Sequence, residues 1–139
     1  RSVSSAASDV YKRQENIVDH KIHSEYISVS KELVTEIINT KKMGGDVIAV
    51  GTTSLRAVET VFSKKLDQFD GLTDIFIYPG YEFKAVDKLI TNFHLPKSTL
   101  LMLVAAFIGF DRMKYLYEIA IKERYRFLSY GDAMFLTRK

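Results

Sequence analysis

The sequence predicts an α/β fold built on a mixed or mostly parallel sheet. Three observations carry that reading. Stretches with helical apolar spacing alternate with short apolar runs rich in β-branched residues. One of those runs, Asp46-Val-Ile-Ala-Val50, passes through Gly51 directly into a helical stretch, which is half of an α/β unit. The same run is continuously apolar rather than alternating, the pattern of a strand covered on both faces.

Each element follows from local chemistry. Residues 22–29 (IHSEYISV) alternate loosely and carry β-branched and aromatic side chains, so they predict a strand. Ser30 can cap a helix, and Glu32 in its first turn suits the positive end of the dipole. Leu33, Val34, Ile37, Ile38 and Lys41 keep helical spacing until Gly44 and Gly45 end the run. After the strand at 46–50, a helix over about Leu55 to Lys65 places Leu55, Val58, Val61 and Phe62 on one face. Residues 74–78 (DIFIY) predict a buried strand closed by Pro79-Gly80, and two strand-like pieces follow at 82–86 and 88–93. Pro96 and a capping Ser98 start an apolar helix over Thr99 to Ile108, stopped by Gly109. Asp111 is placed as the cap of a last helix, about 112–125, with Met113, Leu116, Tyr117 and Ala120 inward. A strand at AMFL (133–136) completes the pattern.

Composition narrows the class. At 139 residues, 47% hydrophobic and 27% charged, the chain is expected to form one globular domain. Cysteine is absent, which excludes a disulfide scaffold and any Cys-ligated metal and suits a cytoplasmic setting. The longest apolar run, Leu100 to Phe110, is shorter than the roughly 18 residues a spanning helix needs, so no membrane association is expected. A net charge of +3 tolerates an anionic partner without requiring one. Residues 1–14 (RSVSSAASDVYKRQ) are Ser-rich, lack an apolar period and begin without Met. They read as a cloning or assembly scar or a disordered tail, outside the fold in either case.

Several constellations bear chemistry. Gly51, Thr52, Thr53 and Ser54 sit beyond the carboxyl end of a strand, where open α/β sheets bind ligands. Their hydroxyls and the free N–H groups of the next helix can hold an anion, with Arg56 one turn in; an ordinary helix cap fits the same pattern. His20 and His23 point to opposite faces of an extended chain and cannot share an ion, so no metal is expected. His94, in Asn92-Phe93-His94-Leu95-Pro96, lies between a strand and a helix start. Asp132 follows Gly131 and fits a general base or a turn residue; Asp87 fits a site acid or a hairpin turn. Tyr78, Tyr81 and Tyr130 flank these segments and fit either stacking on a heterocycle or packing. Arg112, Lys114, Lys122, Arg124 and Arg126 form a phosphate-contacting face or a solvated helix face.

Read as strings, these segments resemble one family. HKIHSEY (20–26), GGDVIAVGTTSLRAVE (44–59), TDIFIYPGYEFKAVDKLITNFHLPKSTLLMLV (73–104) and YRFLSYGDAMFL (125–136) resemble the bacterial S-adenosylmethionine:tRNA ribosyltransferase-isomerases of queuosine biosynthesis. The resemblance runs from Glu15 onward and covers only the carboxyl-terminal part of those enzymes. It implies that residues 15–139 are the carboxyl-terminal part of an incomplete α/β main domain. It also implies S-adenosylmethionine as co-substrate, no metal, and a tRNA partner carrying 7-aminomethyl-7-deazaguanine at the wobble position. The ribosyl group would be joined to that base and rearranged to give epoxyqueuosine, with adenine and methionine released. Within that frame His94 and Asp132 are expected in acid–base roles and Asp87 in support of the sulfonium or sugar. The 51–56 turn and Tyr78, Tyr81 and Tyr130 are expected to bind substrate. The chain alone is expected to be a monomer and an inactive fragment of an active parent, the alternative being a non-catalytic module that binds S-adenosylmethionine, a nucleotide or tRNA.

Overall fold

A computed structural model describes residues 24–139. The pair His20 and His23 and the 1–14 segment lie outside the described residues. Two sheets form. In the first, β1 (Glu25–Val29) pairs antiparallel with β3 (Phe69–Thr73). In the second, the order is β2 (Ile48–Val50), β4 (Lys88–Asn92), β5 (Ala133–Thr137), with β2 parallel and β5 antiparallel to β4. The sheet is therefore mixed, and the α/β class holds.

Helix α1 (Lys31–Lys42) starts where Ser30 Oγ accepts from the Leu33 N–H at 3.3 Å, and it buries Val34 and Ile37. Helix α2 (Thr52–Ser63) begins three residues earlier than its apolar period suggests, because Gly51 at φ 91° turns the chain straight out of β2. Helix α3 (Thr99–Ile108) is capped by Ser98 Oγ, which accepts from the Leu101 N–H at 3.2 Å. Helix α4 (Phe110–Lys122) takes Gly109 as its N-cap, not Asp111, which lies in the first turn. The α3 helix is apolar all round and buried. With Leu55, Leu89, Met113 and Tyr117 it forms the main core between the three-stranded sheet and α3–α4.

Four expectations are corrected. Residues 74–78 form no strand; the paired strand lies just before them, at Phe69–Thr73, against β1. Residues 82–86 form no strand either; the N–H groups of Lys84, Ala85 and Val86 are taken by a carboxylate of α2 rather than by a ladder. Asp87 consequently sits in no hairpin. Strand β2 is covered on one face only: Ala49 is buried, whereas Ile48 and Val50 are exposed, together with Phe135 on β5.

Candidate functional site

Parallel pairing brings the carboxyl ends of β2 and β4 to one edge of the sheet, and the Gly51 N–H donates to Ile90 O at 2.8 Å. Strand β5 runs the other way, so its start joins the same edge, with Ala133 opposite Asn92. A cleft of about 290 Å³ opens there. Its walls are Gly51, Thr52, Thr53 and Ser54 from the start of α2, Thr91, Asn92 and His94 from the end of β4, and Leu128 and Ser129 from the loop before β5.

The first intrahelical bond of α2 runs from the Leu55 N–H to Gly51 O. The N–H groups of residues 52–54 thus lack intrahelical partners and sit at the positive end of the dipole, suited to an anionic or polar ligand edge. Gly51 holds φ 91°, a conformation that a side chain would strain.

His94 is set by two contacts. Its backbone N–H donates to Tyr117 Oη at 2.9 Å, and its Nε2 pairs with Thr91 Oγ1 at 3.0 Å. Burial pushes its pKa below the usual 6.5, so the imidazole is neutral at physiological pH. One ring nitrogen is engaged by Thr91, and the other has no partner among the described residues. A neutral imidazole so placed can accept a proton from a ligand in the cleft.

Asp132 lies beside the cleft with its carboxylate turned into its own loop. It accepts from the Arg126 N–H at 2.7 Å and meets the Arg126 guanidinium at 3.3 Å. These bonds, the backbone one first, hold its pKa below the usual 3.8. Tyr130, two residues earlier, is 100% exposed at the rim.

The remaining candidates lie elsewhere. Asp87 precedes β4, at the sheet edge opposite the cleft and roughly 16 Å away along the strand. There it binds Lys41 Nζ at 2.8 and 2.9 Å, the Val47 N–H at 3.0 Å and Arg138 at 3.3 Å. Burial raises its pKa, but the Lys41 hydrogen bond, the Val47 N–H and both cations outweigh that and hold the carboxyl below its usual value. Arg56 turns away from the cleft, pairing with Glu25 at 2.7 Å and donating to Ile75 O at 3.3 Å. Tyr81 donates to the buried Glu59 and packs edge-on against Phe83; Tyr78 stacks at a tilt on Phe76. Thr91, Asn92, Leu128 and Ser129 were not foreseen as cleft residues. Asn92 and Thr91 stand in the string TNFHLP beside His94, but only the β4–β5 register shows which of them meets the loop before β5. Among the described residues, no group of three or more His, Asp or Glu could hold a metal ion.

Residues 5–136 match the family model of the queuosine biosynthesis protein. The chain belongs to the queuosine biosynthesis protein family. A solved structure of an S-adenosylmethionine tRNA ribosyltransferase from Thermotoga maritima is 51% identical to the chain, with a TM-score of 0.74. The match covers 79% of this chain and 40% of that one, so the chain spans less than half the length of that structure. The segments that build the cleft, GTTS at 51–54 and TNFH at 91–94, lie within the matched family region.

Proposed function

We propose that this chain supplies the cleft-forming, carboxyl-terminal part of an S-adenosylmethionine-dependent tRNA ribosyltransferase-isomerase. The reaction joins the ribosyl group of S-adenosylmethionine to 7-aminomethyl-7-deazaguanine at the tRNA wobble position, giving epoxyqueuosine and releasing adenine and methionine. The observation that carries this reading is the 51% identity to the Thermotoga maritima ribosyltransferase in a match covering 79% of the chain.

The cleft supports it chemically. At about 290 Å³ it lies at the lower end of small-molecule sites, enough for part of a nucleoside ligand. The helix start at 52–54 can bind hydroxyls or a carboxylate. His94, neutral and held by Thr91, serves as the proton acceptor for the rearrangement and, once protonated, as a donor to the departing base. Asp132 acts through its loop, ordering the Leu128–Ser129 wall. In this reading Asp87 supports the fold at the far edge.

The test is a chimera in which residues 24–139 replace the matching stretch of the Thermotoga maritima enzyme. Adenine release from S-adenosylmethionine, dependent on substrate tRNA, is the expected result. His94→Ala should lower kcat by about 10²–10⁴-fold. A folded chimera that binds S-adenosylmethionine yet releases no adenine would overturn the proposal.

A further inference from the structure

The loop that walls the cleft carries chemistry that sugar transfer does not use. Residues 122–130 (KERYRFLSY) run from the end of α4 to the rim, and three cations stand there against one acid. Lys122, Arg124, Tyr125, Arg126, Leu128 and Tyr130 are all exposed, Tyr130 completely. Arg126 is partly engaged by Asp132, whereas no ion pair within 4 Å ties Lys122 or Arg124 to an acid among the described residues, although Glu118 and Glu123 lie nearby in the chain.

This exposed segment is tied to the end of β4 and to itself by hydrogen bonds. The Leu128 N–H donates to Phe93 O at 2.9 Å, one residue before His94. The Asp132 N–H donates to Arg126 O at 2.8 Å, Asp132 Oδ2 accepts from the Arg126 N–H, and Asn92 Nδ2 donates to Asp132 O at 3.2 Å. The clasp closes only because residue 131 is glycine: a Cβ there would lie 2.3 Å from Arg126 O. Arg124 and Leu128 take the left-handed conformation, at φ 59° and 72°, unfavourable for side-chain-bearing residues and tolerated only where the surroundings enforce it. A hydrogen-bonded loop that exposes a whole tyrosine ring in the same nine residues as three cations, next to the cleft, is a preorganised surface rather than a solvated turn.

We infer that residues 122–130 are a docking rim for unpaired RNA nucleotides, with Lys122 and Arg124 meeting phosphates and Tyr130 stacking on a base next to the one in the cleft. The inference rests on the proposed function, which requires a nucleotide of an RNA loop to enter the cleft. Unpaired bases offer π-faces that a duplex hides, and cationic grooves with aromatic platforms are how single strands are held. An acidic peptide would satisfy the cations but leave the tyrosine face unused.

The experiment titrates the full chain with a fluorescent RNA hairpin carrying an unpaired loop, and with the same stem closed as a continuous duplex. The hairpin should bind about tenfold more tightly. Tyr130→Ala should lower hairpin affinity about tenfold, and Tyr130→Phe should keep it within about twofold, since the ring does the stacking. Full exposure at 130 leaves the fold intact in both variants, which circular dichroism checks. Arg124→Asn, compatible with the left-handed backbone, should weaken both RNAs alike and reduce the salt slope by about one. The inference is overturned if Tyr130→Ala binds the hairpin within about twofold of the parent chain. Equal binding of duplex and hairpin, or equally effective competition by polyglutamate or anionic vesicles, also overturns it. Calorimetry with S-adenosylmethionine alone separates the two readings. Binding of S-adenosylmethionine without Tyr130-dependent RNA binding removes the rim and spares the transferase. Tyr130-dependent RNA binding alongside an inactive, folded chimera does the reverse.

Discussion

Glu59 offers the sharpest test of how this fold holds its site. Its side chain is wholly buried in α2, an unusual place for a carboxylate. It is satisfied by four donors from one loop: the N–H groups of Lys84 at 2.8 Å, Ala85 at 3.0 Å and Val86 at 2.9 Å, and the Tyr81 hydroxyl at 3.1 Å. That loop delivers the chain into β4, and β4 ends at the cleft. Glu59→Ala would orphan the Ala85 and Val86 N–H groups, both in buried residues, while the exposed Lys84 can turn to water. Each orphaned buried donor costs about 1–3 kcal/mol, and the emptied side-chain space adds about 1 kcal/mol. Removing a buried charge returns part of its desolvation cost, so the expected net loss is about 3 kcal/mol. Set against the 5–15 kcal/mol of a typical domain, that lowers Tm by about 10 °C or more. Glu59→Gln keeps one oxygen for Ala85 and Val86, and Tyr81 can turn to accept from the amide. Its expected cost is about 1–2 kcal/mol. Urea unfolding followed by far-UV circular dichroism measures both. A loss under about 1 kcal/mol for Glu59→Ala, at unchanged urea dependence, would refute the reasoning.

Two further predictions separate scaffold from chemistry. Asp87→Asn should destabilise the chain by about 2 kcal/mol, since two cations lose their counter-charge and only one accepting oxygen remains for them and the Val47 N–H, and leave adenine release by the chimera within about threefold. Because the folded pKa of Asp87 is depressed, its contribution is present above about pH 4 and is lost as pH falls through the folded value; the variant should lack that acid-side slope in denaturant melts. A collapse of activity at unchanged stability would instead place Asp87 on a ligand. His94, whose pKa is also lowered but by burial of its neutral form, works the other way chemically and the same way in sign. The unfolded chain binds more protons, so stability is full above about pH 6.5 and declines as pH drops below it. His94→Gln should flatten stability between about pH 5 and 6.5, and an unchanged slope would show that this imidazole is not buried neutral.

Much of this architecture is legible locally. The Ser30 and Ser98 caps, the apolar run of α3 and the glycine leaving β2 are short-range signals, and the corresponding elements lie where they point. The errors share a cause. DIFIY and EFKAV have strand composition, but a strand exists only if a neighbour offers a ladder. Lys84, Ala85 and Val86 give their N–H groups to Glu59, more than twenty positions upstream, and β1 takes Phe69–Thr73 as its partner. Asp111 looks like a cap, yet Gly109 already supplies the turn between α3 and α4.

What the sequence determined by itself was the α/β class, the helix boundaries set by caps and glycines, and the strings that place the chain in its family. These depend on backbone preferences and residue order, which need no partner. What only the tertiary structure decided was which chemically able residues meet. His94, the 51–54 turn and the Ser129 wall share a cleft because β2 and β4 run parallel and β5 returns to the same edge. Asp87 has the right chemistry but starts the strand that His94 follows, and an extended strand carries its two ends to opposite edges of the sheet.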